Sequence, residues 1–388
     1  MKIPAMIRLV FTIVMLFALL ISVGCKFSDP KKSPETIGSN TWALTDFVKV
    51  DSLNPILKPS GELSFDCPVS KSDVLWEERN VLNPSAIVKD GKVYLFYRAQ
   101  DLSGTSRIGL AISEDGLHFE KKPTPVFFPD NDEMKIYEWN RFKKPGAVPA
   151  KTITLFDGVE DPRIIESEDE NYIMTYTAYD GDKARLCIAS SKDLLKWTKH
   201  GLMMNTEKYK NTWSKSGAIV GRLSGNKVIA TRINGRYWMY FGDTDLFMAS
   251  SEDLIHWEVA ENAENQKMIS VLHPRPGYFD SRLVEPGPFA LLKKEGILLI
   301  YNASNAANYN DPGLPKFTYA AGQALFDSMK PYQLVDRTNG FFIYPDKDYE
   351  KIGEVNEVCF VEGLVFFNNK WMLYYGTADS KIAVATKE

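Results

Sequence analysis

Cysteine and histidine are scarce in this 388-residue chain, which holds four of each. Neither set shows metal-ligand spacing and no CxxC pair occurs, so the sequence carries no metal signature and no disulfide framework. Beyond Cys25 only Cys67, Cys187 and Cys359 remain, enough for one disulfide in an oxidising compartment, with no pair singled out. A surplus of one charge is missing too. Lys and Arg number 46 against 50 Asp and Glu, a net charge of −4, which leaves no nucleic-acid footprint and no polyanionic tail. A bilayer-spanning run is also lacking, because the apolar stretch Leu9 to Ile21 is too short to cross comfortably.

That stretch reads instead as targeting. Lys2 and Arg8 precede it, and Ser22-Val23-Gly24-Cys25 follows, small residues before a Cys as in a bacterial lipoprotein signal. The expected division is a signal peptide over 1–25, a flexible tether over 26–45 and one catalytic domain over 46–388. Lipidation of Cys25 would tether the protein outside the cytoplasm, in the periplasm or at the cell surface.

What the chain does have is rings and repeats. Aromatics make up 12 % and hydrophobics 44 %, ample for a large core and well suited to strands. ASSKDLLKWTKH (Ala189 to His200) is echoed by ASSEDLIHWEVA (Ala249 to Ala260) and more loosely by AISEDGLHFEKK (Ala111 to Lys122). In each an Asp is followed four positions later by an aromatic: Asp115 and Phe119, Asp193 and Trp197, Asp253 and Trp257. Each echo ends a longer unit of strand, turn, aromatic strand, small-residue strand, Ser-x-Asp turn and outer strand. The unit recurs five times at an irregular period of roughly 55 to 80 residues. Four short antiparallel strands per unit predict an all-β fold, a five-bladed β-propeller. A two-sheet sandwich would not explain why the Ser-x-Asp turn recurs in phase. The last unit stops after its third strand, and the stretch from Gly61 to Val74 is the candidate for the missing one.

First strands line the channel of a propeller, so their starts are informative. They read Asn83-Pro84, Glu160-Asp161-Pro162-Arg163, Lys215-Ser216-Gly217, Glu285-Pro286-Gly287 and Glu362-Gly363. Every start sets a polar or charged group beside Pro, Gly or another small residue. Carboxylates gathered on one axis repel, which is costly unless function requires it, and paired carboxylates suit glycosidic bond cleavage. Second strands end in Tyr97, Arg98, Asp101, Tyr179, Asp180 and Asn302, which would face the same mouth and contact sugar. Two insertions, Pro129 to Asp157 and Asn302 to Phe317, would rim it.

GVEDPRI, the NPSA start, YRAQD, SKSGAIV, LVEPGPFAL, GQALFD, FVEGLVFF and LYYGTADSKIAVA, in that order from Asn83 onward, resemble glycoside hydrolase family 130, the β-mannoside phosphorylases and β-mannosidases. The resemblance implies a five-bladed propeller and inverting attack on β-mannosides, with Asp161 as general acid acting through a sugar hydroxyl. Asn83, Arg98, Arg163, Lys215 and Glu362, at or beside the strand starts, are further candidates for substrate binding. Phosphorylases hold phosphate with clustered cations, and Arg98, Arg163 and Lys215 are candidates. Inorganic phosphate would then be the co-substrate; no other cofactor and no metal is called for. A phosphorylase is expected to carry a His-Arg pair after Tyr237-Trp238-Met239, yet the chain reads Tyr240-Phe241-Gly242-Asp243. An acid there resembles the hydrolytic branch and makes Asp243 and Glu285 candidates for the base. The expected function is an extracytoplasmic inverting glycosidase that cleaves manno-oligosaccharides with water. A phosphorylase releasing mannose 1-phosphate and a non-catalytic sugar-binding lipoprotein are the alternatives.

Overall fold

Runs rich in Val, Ile, Tyr and Phe, broken by turns of Asp, Asn and Gly, form strands in the computed structural model, which describes residues 40–146, 155–308 and 313–388. The fold is all-β, with two four-residue helices among the described residues. A two-residue strand β1 (Val48–Lys49) precedes a separate hairpin of β2 (Ser64–Cys67) and β3 (Ser72–Leu75). Four strands then run antiparallel in chain order: β4 (Asn80–Lys89), β5 (Lys92–Gln100), β6 (Thr105–Ser113) and β7 (Glu120–Lys121). After helix α1 (Lys135–Glu138) the pattern returns as β8 (Asp157–Glu166), β9 (Tyr172–Tyr179), β10 (Ala184–Ser191) and β11 (Thr198–Leu202).

The third group opens with the hairpin β12 (Ala218–Ser224) and β13 (Lys227–Ala230), then adds β14 (Tyr237–Phe241), β15 (Phe247–Ser251) and β16 (Trp257–Val259). In the fourth, β17 (Leu283–Pro286) and β18 (Ala290–Lys293) both pair with β19 (Gly296–Ser304), followed by β20 (Tyr319–Phe326) and β21 (Leu334–Arg337). The fifth, after helix α2 (Asp348–Lys351), contains β22 (Cys359–Phe367), β23 (Lys370–Thr377) and β24 (Lys381–Lys387).

The missing fourth strand of that last group is β1, with Val48 opposite Thr386 and Lys49 opposite Ala385. The stretch from Gly61 to Val74 does not supply it. Its strands β2 and β3 pair with each other, Phe65 opposite Val74. The packed body also starts earlier than residue 46. Trp42 and Leu44 are buried in the core, Trp42 donates its indole N–H to Asp336, and the Gln323 amide bonds both backbone groups of Leu44. The signal peptide, Cys25 and the first part of the tether lie outside the described residues. Cys67, Cys187 and Cys359 are each free and buried, so none forms the disulfide the sequence allowed.

The repeated turn proves to be one hydrogen-bonded device. Asp193 Oδ1 accepts from the N–H of Leu195 and Lys196, while Ser191 Oγ accepts from the N–H of Asp193 and Leu194. Asp115 and Asp253 do the same, and each turn joins the third strand of its group to the fourth. A further copy at Asp327 binds the N–H of Met329 and Lys330. The aromatic that follows packs across groups: Phe119 lies edge-on to Tyr374 of β23, and Trp197 edge-on to Phe96 of β5.

Four groups also share a buried triad of Tyr, acid and cation. Tyr97, Tyr176, Tyr301 and Tyr375, each on a second strand, donate to Glu77, Glu138, Asp280 and Glu350 at 2.8, 2.9, 2.9 and 2.9 Å. Lys121, Lys199, Arg337 and Lys49, each on a fourth strand, supply the cation. Each triad thus clamps an acid from a loop or a short helix between two strands of its group. In the third group Tyr240 donates instead to the Pro331 carbonyl at 2.8 Å.

Candidate active site

Three first strands break their ladders at the residues singled out above. The register skips at Asn83 in β4, at Asp161-Pro162 in β8 and at Glu362 in β22. A bulge re-aims a side chain that would otherwise alternate with its neighbours, and Pro fits there because no ladder N–H is required. Asn83, Asp161 and Ser216 hold φ at 47°, 51° and 60°, a left-handed conformation unfavourable for residues with a side chain. Such strain persists where its surroundings enforce it and gathers at functional sites. The adjacent glycine permits close approach: a Cβ on Gly287 would stand 3.0 Å from Ile300 O and 3.1 Å from Val361 O.

These devices bring all five strand starts together. Asn83 donates to Asp161 Oδ1 at 2.7 Å, and Arg98 reaches the same oxygen at 3.2 Å and Glu160 at 2.7 Å. Lys215 Nζ lies 3.2 Å from Asp161 Oδ2 and 3.7 Å from Glu285 Oε1, and Ser216 donates a short hydrogen bond to Glu285. Arg163 donates to the Pro286 and Gly287 carbonyls, both at 2.7 Å, and pairs with Glu362 at 2.8 Å. Asp243 accepts from the Trp213 indole at 2.7 Å and acts electrostatically on Lys215 and Glu285.

Six carboxyl groups (Glu160, Asp161, Asp243, Glu285, Glu362 and Asp379) therefore crowd three cations, Arg98, Arg163 and Lys215. Burial opposes ionisation of Asp161, but Lys215, Arg98 and Arg163 outweigh it and hold its carboxyl well below the usual range. Burial raises Glu285 and carries Glu362 well above the ordinary value, with Lys215 and Arg163 only partly offsetting it. Asp379 is pushed up to about 6, by burial first and then by Asp161. Asn83 Oδ1 and Glu362 Oε2 are buried without a hydrogen-bond partner. Unsatisfied acceptors on one axis await donors such as sugar hydroxyls or water. A pocket of about 380 Å³ adjoins the cluster, lined by Arg98, Glu160, Tyr179, Trp213, Lys215 and Asp379 together with Phe156 and Val355.

Other sequence candidates fall outside this cluster. Both oxygens of Asp101 are taken up by Ser103, the Thr105 N–H and Arg107, which closes the turn between β5 and β6. Asp180 does the same between β9 and β10, binding Arg185 and the N–H of Asp182 and Lys183. The buried Asn302 amide bonds the N–H and carbonyl of Val361, joining the fourth and fifth groups. Of the insertions, residues 147–154 and 309–312 lie outside the described residues. Asp379 and Trp213 belong to the site although the strand starts did not point to them. The TAD turn after an aromatic strand is the only signal for Asp379. Among the described residues no group of three or more His, Cys, Asp or Glu could hold a metal ion.

Residues 48–388 match the family model of glycoside hydrolase family 130, described as β-1,4-mannooligosaccharide phosphorylase. The chain is similar to a 1,2-β-oligomannan phosphorylase of Thermoanaerobacter sp. strain X514, 28 % identical over 82 % of this chain and 93 % of that protein. A glycosyl hydrolase structure from Bacteroides ovatus superposes with a TM-score of 0.84 at 38 % identity, covering 92 % of this chain and 97 % of that one. A second structure with the same figures was reported with the finding that this family of mannoside phosphorylases contains glycoside hydrolases targeting β-1,2 mannosidic linkages in Candida mannan. The chain belongs to glycoside hydrolase family 130, whose members are enzymes acting on β-mannosidic linkages as phosphorylases or hydrolases.

Proposed function

We propose that this protein hydrolyses β-mannosides with inversion, and that its five antiparallel groups are the blades of a propeller whose axis carries the site. The observation supporting water over phosphate is the charge of the cluster. Lys215 and Arg98 are each flanked by two or more carboxylates, and Arg163 is occupied by Glu362 and two carbonyls. A phosphate dianion would need cations not already matched by acids. In this reading water attacks the anomeric carbon and gives its proton to Glu285 or Asp243, the raised basicity of Glu285 suiting that role. The leaving oxygen takes a proton passed from Asp161 through a sugar hydroxyl. With Lys215, Arg98 and Arg163 around it, Asp161 is an anion. Sugar hydroxyls that draw Asn83, Arg98 and Lys215 away would move it toward the protonated form an acid needs. Asn83, Glu362, Tyr179 and Asp379 would hold those hydroxyls.

The second reading is phosphorolysis, favoured by the family description and by curated relatives that are mannoside phosphorylases. Lys215, Arg98 and Arg163 would then hold phosphate. Product analysis on β-1,2- and β-1,4-mannobiose with and without inorganic phosphate separates the two. Free mannose in equal yield under both conditions supports hydrolysis, whereas mannose 1-phosphate formed only with phosphate overturns it. Residues 1–25, read as a lipoprotein signal, support action outside the cytoplasm, where a sugar phosphate brings little benefit.

A further inference from the structure

Trp213 stands where the pocket opens, with about half of its side-chain surface exposed at 48 %. Its position is fixed from below. The next residue, Ser214, donates its N–H to Ala184 O at 3.1 Å and accepts from the Leu186 N–H at 3.0 Å, pinning the loop to β10. Two residues on, the Lys215 carbonyl accepts from the Gly242 N–H at 2.9 Å, which draws Asp243 alongside. The indole ring meets Tyr179 edge-on at 6.3 Å, and its one N–H is committed to Asp243 Oδ2 at 2.7 Å. An indole has a single donor and two broad apolar faces. Here the donor grips a candidate base while the ring remains open to the pocket. Pyranose rings present C–H faces that pack on exposed aromatic rings, and a ring already held in place loses little entropy when covered.

We propose that Trp213 is the platform for a sugar ring of the substrate and the positioning residue for Asp243, so that seating the sugar and aiming the base are one event. This rests on the hydrolytic reading for its second half only. The platform half stands for any nucleophile, because it concerns binding alone.

Calorimetry of β-1,2-mannobiose on Asp161→Asn and on Asp161→Asn/Trp213→Ala tests the platform. The expected loss with Trp213→Ala is about tenfold in affinity, since the apolar ring face that the sugar would cover is removed; undiminished affinity overturns the platform. Trp213→Phe keeps a ring face and deletes the N–H. In the otherwise native chain it should leave KM within about threefold while lowering kcat about tenfold, the scale of one charge-assisted hydrogen bond. That deficit should disappear when Trp213→Phe is added to Asp243→Asn. An unchanged kcat in Trp213→Phe, or an equal further loss in the Asp243→Asn background, overturns the positioning role. Full turnover by Asp243→Asn itself strikes the base assignment and the positioning half together, while the calorimetry still decides the platform.

Discussion

Glu138 and Asp161 are both buried acids with cations in reach, yet the molecule treats them in opposite ways. Glu138 sits in a helix, gives one oxygen to Tyr176 and the other to Lys199, and is pushed up to about 7, chiefly by burial. Asp161 sits on a bulge with φ at 51°, faces three cations, and is held far below the ordinary range. The Glu138 pattern recurs around Glu77, Asp280 and Glu350, one Tyr and at least one cation to each acid. Structure alone is thus served by a locally balanced acid. Strained backbone and surplus acids beside unsatisfied oxygens mark the place where a reactant completes the arrangement.

Breaking the strained side of this comparison should have the largest effect. Asp161→Asn is expected to lower turnover by about three orders of magnitude, with mannobiose binding retained by calorimetry and a thermal midpoint close to the parent. Loss of folding instead would place Asp161 with the structural acids. Glu285→Ala and Asp243→Ala should each reduce hydrolysis about a hundredfold in steady-state assays. Near-normal rates in both would remove the base from this pair.

On the balanced side, Glu138→Gln should leave kcat unchanged and alter only the pH dependence of stability. The folded value of Glu138, about 7, exceeds the ordinary 4.5, so the native state holds the proton more tightly than the unfolded chain. Its stabilisation is then complete below pH 4.5 and is lost as pH rises through 7. Urea titrations across that window should show a decline in the parent and a flatter profile in the Gln variant. Equal slopes would mean that Lys199 keeps Glu138 ionised throughout.

The convergence of strand starts was legible because bulges need Pro, Gly or small residues beside whatever they re-aim, and those neighbours stand in the sequence. The Asp turns were legible for a similar reason, since two backbone N–H groups demand a short acceptor at a fixed offset. The copy at Asp327 escaped notice because no aromatic follows at the fourth position, although its hydrogen bonds match. Asp101 and Asp180, expected as sugar contacts, stand in turns, Asp101-Leu102-Ser103-Gly104 and Asp180-Gly181-Asp182, that use the carboxylate locally. The strand Val48–Lys49 is too short to show any period. Trp213 gave no sign, because its role arises from Ser214 and Gly242 fixing two loops against each other.

That short strand also bears on how the protein assembles and opens. Val48 and Lys49 meet Thr386 and Ala385, and Lys49 reaches Glu350 across 301 residues of chain. Contacts of such span carry the greatest loop-closure entropy. The same two residues complete a sheet and supply the cation of a buried triad, so their release would unpair an edge of β24 and leave Glu350 without Lys49 at once. The meeting of β1 and β24 is thus a latch between distant parts of the chain, and without it β24 would present a free edge on which a foreign strand could add.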